Sequence, residues 1–297
     1  MVAPAILLVD KPGGLTSHDV VARTRRAFGT RKVGHAGTLD PMATGLLVLG
    51  IEGATRLLTY IVGADKTYEA TIRLGASTTT DDAEGEVVAA ADASVVAGVD
   101  DAAVAAGVAA LTGAISQVPS SVSAIKVDGR RAYDRVRAGE DVVLAAREVV
   151  VSRFDVLEIR RDEGILDLDV VVDCSSGTYI RSLARDLGTA LGVGGHLTAL
   201  RRTRVGPFSV GDAVGVEDLE GAATLTPAEA AAAVLAPLPV TAAEARDLRH
   251  GKRLGGQAER LTAPLAAAID EDGELVGIVE KRGADLKSAM NMPEVIR

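Results

Sequence analysis

Tryptophan is absent from this 297-residue chain, and four tyrosines and three phenylalanines make up the whole of its 2% Phe, Trp and Tyr content. With so few rings available to fill a core, each one that stands beside a motif gains weight as a functional residue. The single cysteine, Cys174, excludes an internal disulfide and a thiolate metal cluster. It suits a reducing cytoplasm and is expected to be a buried structural thiol. Only His18, His35, His196 and His250 supply imidazole, so no metal site is expected and cofactor-free chemistry is the better prior. The opening residues 1–9 lack the basic start and long apolar run of an export signal, because Asp10 and Lys11 interrupt them. The longest charge-free stretch, residues 102–125, carries Ser, Gln, Thr and Pro119, which rules it out as a bilayer-spanning helix. Phosphate-binding loops, dinucleotide fingerprints, zinc-protease motifs and serine-hydrolase elbows are all missing.

Positive charge is also scarce, with a net charge of -9, which at first argues against a nucleic-acid partner. Its distribution reverses that impression. Residues 74–125 hold seven acids and residues 205–245 hold six, with no Lys or Arg in either stretch. Setting those thirteen aside leaves 28 acids against 32 bases in the remainder. The bases cluster at Arg23, Arg25, Arg26, Arg31 and Lys32, at Lys126, Arg130, Arg131, Arg135 and Arg137, and at Arg201, Arg202 and Arg204. Such clusters suit a phosphate backbone, although any one of them alone reads as a solvated surface.

At 47% apolar residues the chain can bury a full core, and its length suits one large domain with a smaller one. Strands are expected over 6–9, 46–51 and 68–74, the last with Tyr68, Ala70, Ile72 and Leu74 on one side. A helix that Ser17 caps and Gly29 ends follows the first strand, and another covers 54–62. Residues 148–172 read as a β-hairpin turning at Asp162-Glu163-Gly164. A helix capped by Thr178 then buries Ile180, Leu183, Ala184, Leu187 and Leu191. The Ala- and Pro-rich stretch 221–243 marks a boundary or connecting helix near 235–239, before a module of short strands. The domains expected are therefore 1–237 and 238–297.

The densest segment surrounds Asp40 with the small residues Gly34, Ala36, Gly37, Ala43 and Gly45, a pattern that lets a large ligand approach the backbone. Read alone, Asp40-Pro41 is an ordinary turn starter. Its company is more specific. GHAGTLDPMATGLLVLGIEGATRL resembles the catalytic motif of the bacterial tRNA pseudouridine-55 synthases of the TruB type, and Asp10 to Ser17 resembles their other N-terminal signature. Lys66-Thr67-Tyr68, Arg73-Leu74-Gly75, the block from Val118 to Lys126, Gly177-Thr178-Tyr179-Ile180-Arg181 and the block from His196 to Arg202 resemble later family blocks in the same order. The resemblance covers residues 5 to 210. It thins beyond Val205, where Leu238 to Leu254 only loosely resemble the start of the family's small RNA-binding domain.

The resemblance implies an α+β fold with a mixed, largely antiparallel central sheet flanked by helices, and a small PUA-like β domain at its end. It implies isomerisation of uridine 55 in the T loop of tRNA, with the base flipped out of the loop and Asp40 as the catalytic carboxylate. His35 resembles the histidine that stacks within the RNA loop, Tyr68 the tyrosine that packs on the flipped base and assists proton removal from C5, and Arg181 the arginine that pairs with the catalytic aspartate. Tyr179 resembles a substrate-contacting residue, Leu200 an apolar wall for the base, and Lys11 either a support for the loop or a phosphate contact. Each has a plainer reading as a core or surface side chain. The T stem-loop of tRNA is the implied partner, and nothing demands more than a monomer. The competing reading is a tRNA-binding or RNA-folding protein without catalysis, which the joint presence of Asp40, Tyr68 and Arg181 disfavours. A glycosidase would want two carboxylates flanking the scissile bond, and the motif supplies one.

Overall fold

The computed structural model describes residues 2–120, 126–127, 130–131 and 144–293. The basic cluster from Lys126 to Arg137 therefore has its side chains outside the described residues, as does the block 121–125. The fold is α+β, with sheets that are mixed and mostly antiparallel. Contacts divide it into two compact units: Met1–Pro41 with Gly45–Ala64 and Arg204–Arg297, and Met42–Thr44 with Asp65–Thr203.

In the first unit, strand Ala5–Lys11 runs antiparallel to Thr44–Ile51, from Ala5 opposite Ile51 to Lys11 opposite Gly45. Val33–His35 adds a short antiparallel strand to Thr44–Ile51, and Val214–Gly215 lies parallel to Ala5–Lys11. Residues 45–51 are all buried, as an unbroken apolar run requires when both faces of a strand are covered. The first helix spans Ser17–Ala27 and ends, as expected, before Gly29 at a φ of 61°. Its cap is Thr16 and not Ser17. Thr16 and Asp19 form a reciprocal capping box, which satisfies two of the orphan amides at once. The helix expected over 54–62 forms in two parts, a 3-10 turn Glu52–Leu57 and an α-helix Leu58–Val62. The chain leaves the preceding strand at Glu52 with a φ of 51°, and a Cβ at Gly50 would stand 2.9 Å from the Thr55 Cα. So tight a return favours the narrower winding.

The C-terminal sheet belongs to the same unit. Its strands are ordered Pro237–Pro239, Leu265–Ile269, Leu275–Arg282 and Asp285–Asn291, with only the first pair parallel. The connecting helix lies earlier than the composition suggested, at Pro227–Val234, with Thr226 and Glu229 as its capping box and Pro227 in its first turn. The expected boundary at 235–239 is an edge strand, the place in a sheet where proline does least harm. Alternation along Leu265–Ile269 serves two cores. Ala266 and Ala268 pack with Leu238, Leu248, Val276 and Leu286, whereas Ala267 packs with Ile6, Leu46, Leu57 and Ile278.

In the second unit the neighbours run Gly195–Val205, Lys66–Leu74, Ile165–Cys174, Arg147–Asp162 and Gly113–Gln117. The expected hairpin is present, with partners from Val151 opposite Cys174 to Asp162 opposite Ile165. Lys66–Leu74 buries Tyr68, Ala70, Ile72 and Leu74 as its alternation implied. Helix Ile180–Ala190 buries Ile180, Leu183, Ala184 and Leu187, but its N-cap is Tyr179, while the Thr178 hydroxyl donates to the Ser175 carbonyl. Leu191 is its C-cap and only partly buried.

Candidate active site

Asp40 follows a strand–loop segment whose backbone is pinned on both sides of the carboxylate. The Ser17 hydroxyl donates to the Leu39 carbonyl at 3.1 Å and accepts from the Leu39 amide at 2.9 Å. Pro41 offers its carbonyl to the Gly14 amide at 2.9 Å and to the Lys11 ammonium at 3.2 Å. Lys11 is wholly buried and also donates to Leu15 at 2.6 Å and to Pro12 at 3.0 Å. Its ammonium thus ties residues 12–15 to Pro41. Gly37 and Gly45, at φ of 95° and 99°, take the turns on either side. Asp40 itself stays half-exposed.

His35 closes the strand Val33–His35 opposite Leu49. Its ring meets that of His18 edge-on, with centroids 5.6 Å apart and an interplanar angle of 84°. His18 was not singled out by the sequence; only its position on the first turn of the helix Ser17–Ala27, close to the pinning Ser17, could have flagged it.

The second unit holds Tyr68, Tyr179, Arg181 and Leu200. Tyr68 and Leu200 are both buried, at 8% exposure, on the strands Lys66–Leu74 and Gly195–Val205. Tyr179 is fixed through its main chain: Gln117 accepts from its amide at 2.8 Å and donates to its carbonyl at 3.1 Å. Gln117 is itself buried, so this pair of bonds ties the end of Gly113–Gln117 to the start of the helix.

Arg181 is 4% exposed and lies 3.5 Å from the Asp82 carboxylate, which is equally buried. Its Nη1 also donates to the Thr80 carbonyl at 2.7 Å and to the Ser120 hydroxyl at 3.3 Å. Asp82 is held in turn by the Thr80 hydroxyl at 2.5 Å and the Glu84 amide at 3.1 Å. A buried ion pair needs such additional bonds to offset desolvation. Asp82 carries no motif of its own and lies in an acidic stretch without Lys or Arg. Its signal was the Thr78-Thr79-Thr80 run before two adjacent aspartates, which puts short hydroxyl donors beside carboxylates.

Two more buried cations were missed. Arg202 is 1% exposed, which removes it from any phosphate-facing cluster with Arg201 and Arg204. Lys66 is buried two residues before Tyr68 on the same strand, opposite Cys174. Burial, with Arg202 as the next cause, pushes the Lys66 ammonium down to about 8, and burial pushes the Cys174 thiol up to about 11. Cys174 is the buried thiol expected. Among the described residues no His, Cys, Asp and Glu cluster could hold a metal ion, and no helix is long and apolar enough to cross a membrane.

Residues 25–180 match the TruB family pseudouridylate synthase N-terminal domain. Residues 181–240 match the tRNA pseudouridylate synthase B C-terminal domain, and residues 235–293 the tRNA pseudouridine synthase II C-terminal domain. The tRNA pseudouridine synthase B of Leifsonia xyli subsp. xyli is 60% identical over 297 residues, spanning 99% of this chain and 98% of its own length. That of Corynebacterium diphtheriae is 54% identical over 283 residues, spanning 95% and 93%. Among solved structures, a chain of a Cbf5-Nop10-Gar1 complex superposes with a TM-score of 0.70 at 25% identity, covering 99% of this chain and 85% of that one.

Proposed function

The chain belongs to the TruB family of pseudouridylate synthases and isomerises uridine to pseudouridine in tRNA, and from that premise we propose that its target is uridine 55 of the T loop and that Asp40 is its catalytic carboxylate. The observation that carries the site assignment is the bracing of Asp40. Ser17 fixes Leu39 before it, and Lys11 and Gly14 fix Pro41 after it, while the residue is half-exposed. A reacting group whose backbone is held on both sides needs little reorganisation when substrate arrives.

The reaction breaks the bond from ribose C1′ to uracil N1, turns the base and rejoins C1′ to C5, with a proton leaving C5 and one gained at N1. Nothing is oxidised, and no cofactor is required. A carboxylate can serve this exchange by adding to the sugar or the base, or by taking the C2′ proton. A primary isotope effect from deuterium at C2′ separates the last role from the first two.

A uridine in a folded loop must first be extruded, at a cost of a few kcal/mol. His35 fills the place it leaves, offering a flat ring to the remaining stack. Tyr68 packs on the flipped base and assists removal of the C5 proton, Leu200 gives that base an apolar wall, and Tyr179 contacts the substrate. Arg181 keeps the catalytic carboxylate ionised, and Lys11 supports the Asp40 loop. The T stem-loop is the RNA element engaged, residues 1–237 form the catalytic domain and residues 238–297 the RNA-binding module. The separate core built on Leu238, Leu248 and Val276 supports that last assignment. The cytoplasm, where tRNA is matured, is the expected location.

The test is to incubate the protein with an unmodified tRNA transcript and map pseudouridine chemically. A product at position 55 is expected. Product at another uridine overturns the target, and binding without product at enzyme excess favours a non-catalytic RNA-folding role.

A further inference from the structure

Arg181 and Arg185 stand one turn apart on the helix Ile180–Ala190, so their side chains share a face. Both reach the same two segments. Arg181 takes the Thr80 carbonyl, the Ser120 hydroxyl and Asp82. Arg185 takes the Asp81 carboxylate at 3.4 Å and the Val118 carbonyl at 2.7 Å, and is steadied by Asp186 at 2.8 Å. Two adjacent aspartates can serve two arginines because of the backbone between them. Asp81 has a φ of 60°, in the left-handed region, and Asp81 and Glu52 alone among the described non-glycine residues have positive φ. That turn is held by the Leu197 amide on the Asp81 carbonyl at 3.0 Å and the Thr78 hydroxyl on the Asp82 carbonyl at 2.7 Å.

We propose that the Asp81–Arg185 pair is a positioning device for Arg181, keeping Arg185 engaged so that Asp82 serves Arg181 alone. The inference rests on the reading of Arg181 as a residue of the reaction. Without the Asp81 charge, Arg185 keeps Asp186 and the Val118 carbonyl, and its Nη1, which Asp81 held, has Asp82 as the next carboxylate along the same loop, where Arg181 is its competitor. Arg181 is drawn off its position, and the step that depends on its charge slows. The groups facing Asp81 are Arg185, Arg181, Asp186 and the Ser120 hydroxyl.

The pair is not a device for stability. Burial raises the Asp81 carboxyl above the usual carboxylate range, outweighing the Ser120 hydrogen bond and the two arginines. A carboxyl raised on folding favours the fold while protonated, and that contribution is lost as pH rises through the folded value. Ionising the group therefore costs stability relative to its neutral form. Asparagine accepts a left-handed φ as readily as aspartate, so Asp81→Asn leaves the turn in place.

The experiment measures kcat, KM and the melting temperature of the full chain on unmodified tRNA for wild type, D81N, D81N/R185Q and R181K, with D81S as a second test should D81N fold poorly. Expected for D81N is a kcat lower by about tenfold, with KM within about threefold and an unchanged or higher melting temperature. D81N/R185Q, which removes the competitor, recovers most of that loss. A wild-type kcat for D81N or D81S beside an impaired R181K overturns the positioning role. So does a double variant as slow as D81N. A wild-type kcat for R181K overturns instead the reading on which the inference rests.

Discussion

The loop around Asp40 and the pocket around Arg181 hold opposite charges by different means. At Asp40 the neighbouring backbone is pinned, through Leu39 and Pro41, and the side chain stays half in solvent. At Arg181 the side chain itself is seized, by a carboxylate, a carbonyl and a hydroxyl, and almost nothing of it is exposed. A group that must react benefits from a fixed root within reach of solvent and substrate. A group that must only be present as charge can be buried, provided its counter-charge is buried with it.

Asp40→Asn is the sharpest cut through that comparison. Turnover falls below about a thousandth of wild type while tRNA binding stays within about tenfold, since only one charge changes and the pinned backbone does not. Gel-shift and single-turnover assays read the two sides separately, and greater residual turnover moves the chemistry to another residue. Asp82→Asn attacks the other region and removes a buried carboxylate 3.5 Å from a buried guanidinium. It lowers unfolding free energy by about 3–5 kcal/mol, measured in urea, and activity with it. A loss below 1 kcal/mol would put Arg181 and Asp82 on the same footing as a surface pair.

Lys66 tests whether burial governs the second unit as strongly as its cations suggest. With the ammonium lowered to about 8, the folded protein binds fewer protons than the unfolded chain between that value and the ordinary 10.5. Stability therefore rises with pH through this window, by about 3 kcal/mol from this group, and the cost of the buried charge is fully present below it. Urea midpoints of wild type and Lys66→Met from pH 7 to 10 check this, the variant showing the shallower rise. Ser17→Ala returns to the first region with the smallest effect, about 1–2 kcal/mol, because two buried backbone groups of Leu39 lose their partner. If kcat is untouched by it, the bracing of Asp40 matters to the fold and not to the reaction.

Periodicity made the strands legible. The alternation of Lys66–Leu74 and the unbroken apolar run at 45–51 each carry their environment in the order of their side chains. Helix caps were legible only to within a residue. Thr16 and Ser17 both offer a hydroxyl, and what separates them is Asp19, which closes a box with one and leaves the other to the Leu39 loop. Asp40 was found through the order of the motifs around it. Asp82 was not found, since its meaning depends on Arg181, which lies 99 positions further along the chain and meets it only after folding. The same holds for Gln117 and Tyr179, and for Arg202, whose burial nothing in a run of three arginines foretells.

Ala267 carries a consequence for how the protein is made. It shares a core with Ile6, Leu8, Ile278 and Met292, so an early strand of this sequence is covered in part by residues translated much later. The stretch 65–203 is nearly self-sufficient and can settle while synthesis continues. The strand bearing Ile6 can pair early with the strand that carries Leu46 and Val48, but it receives the cover of Ala267 and Ile278 only after those much later residues are made.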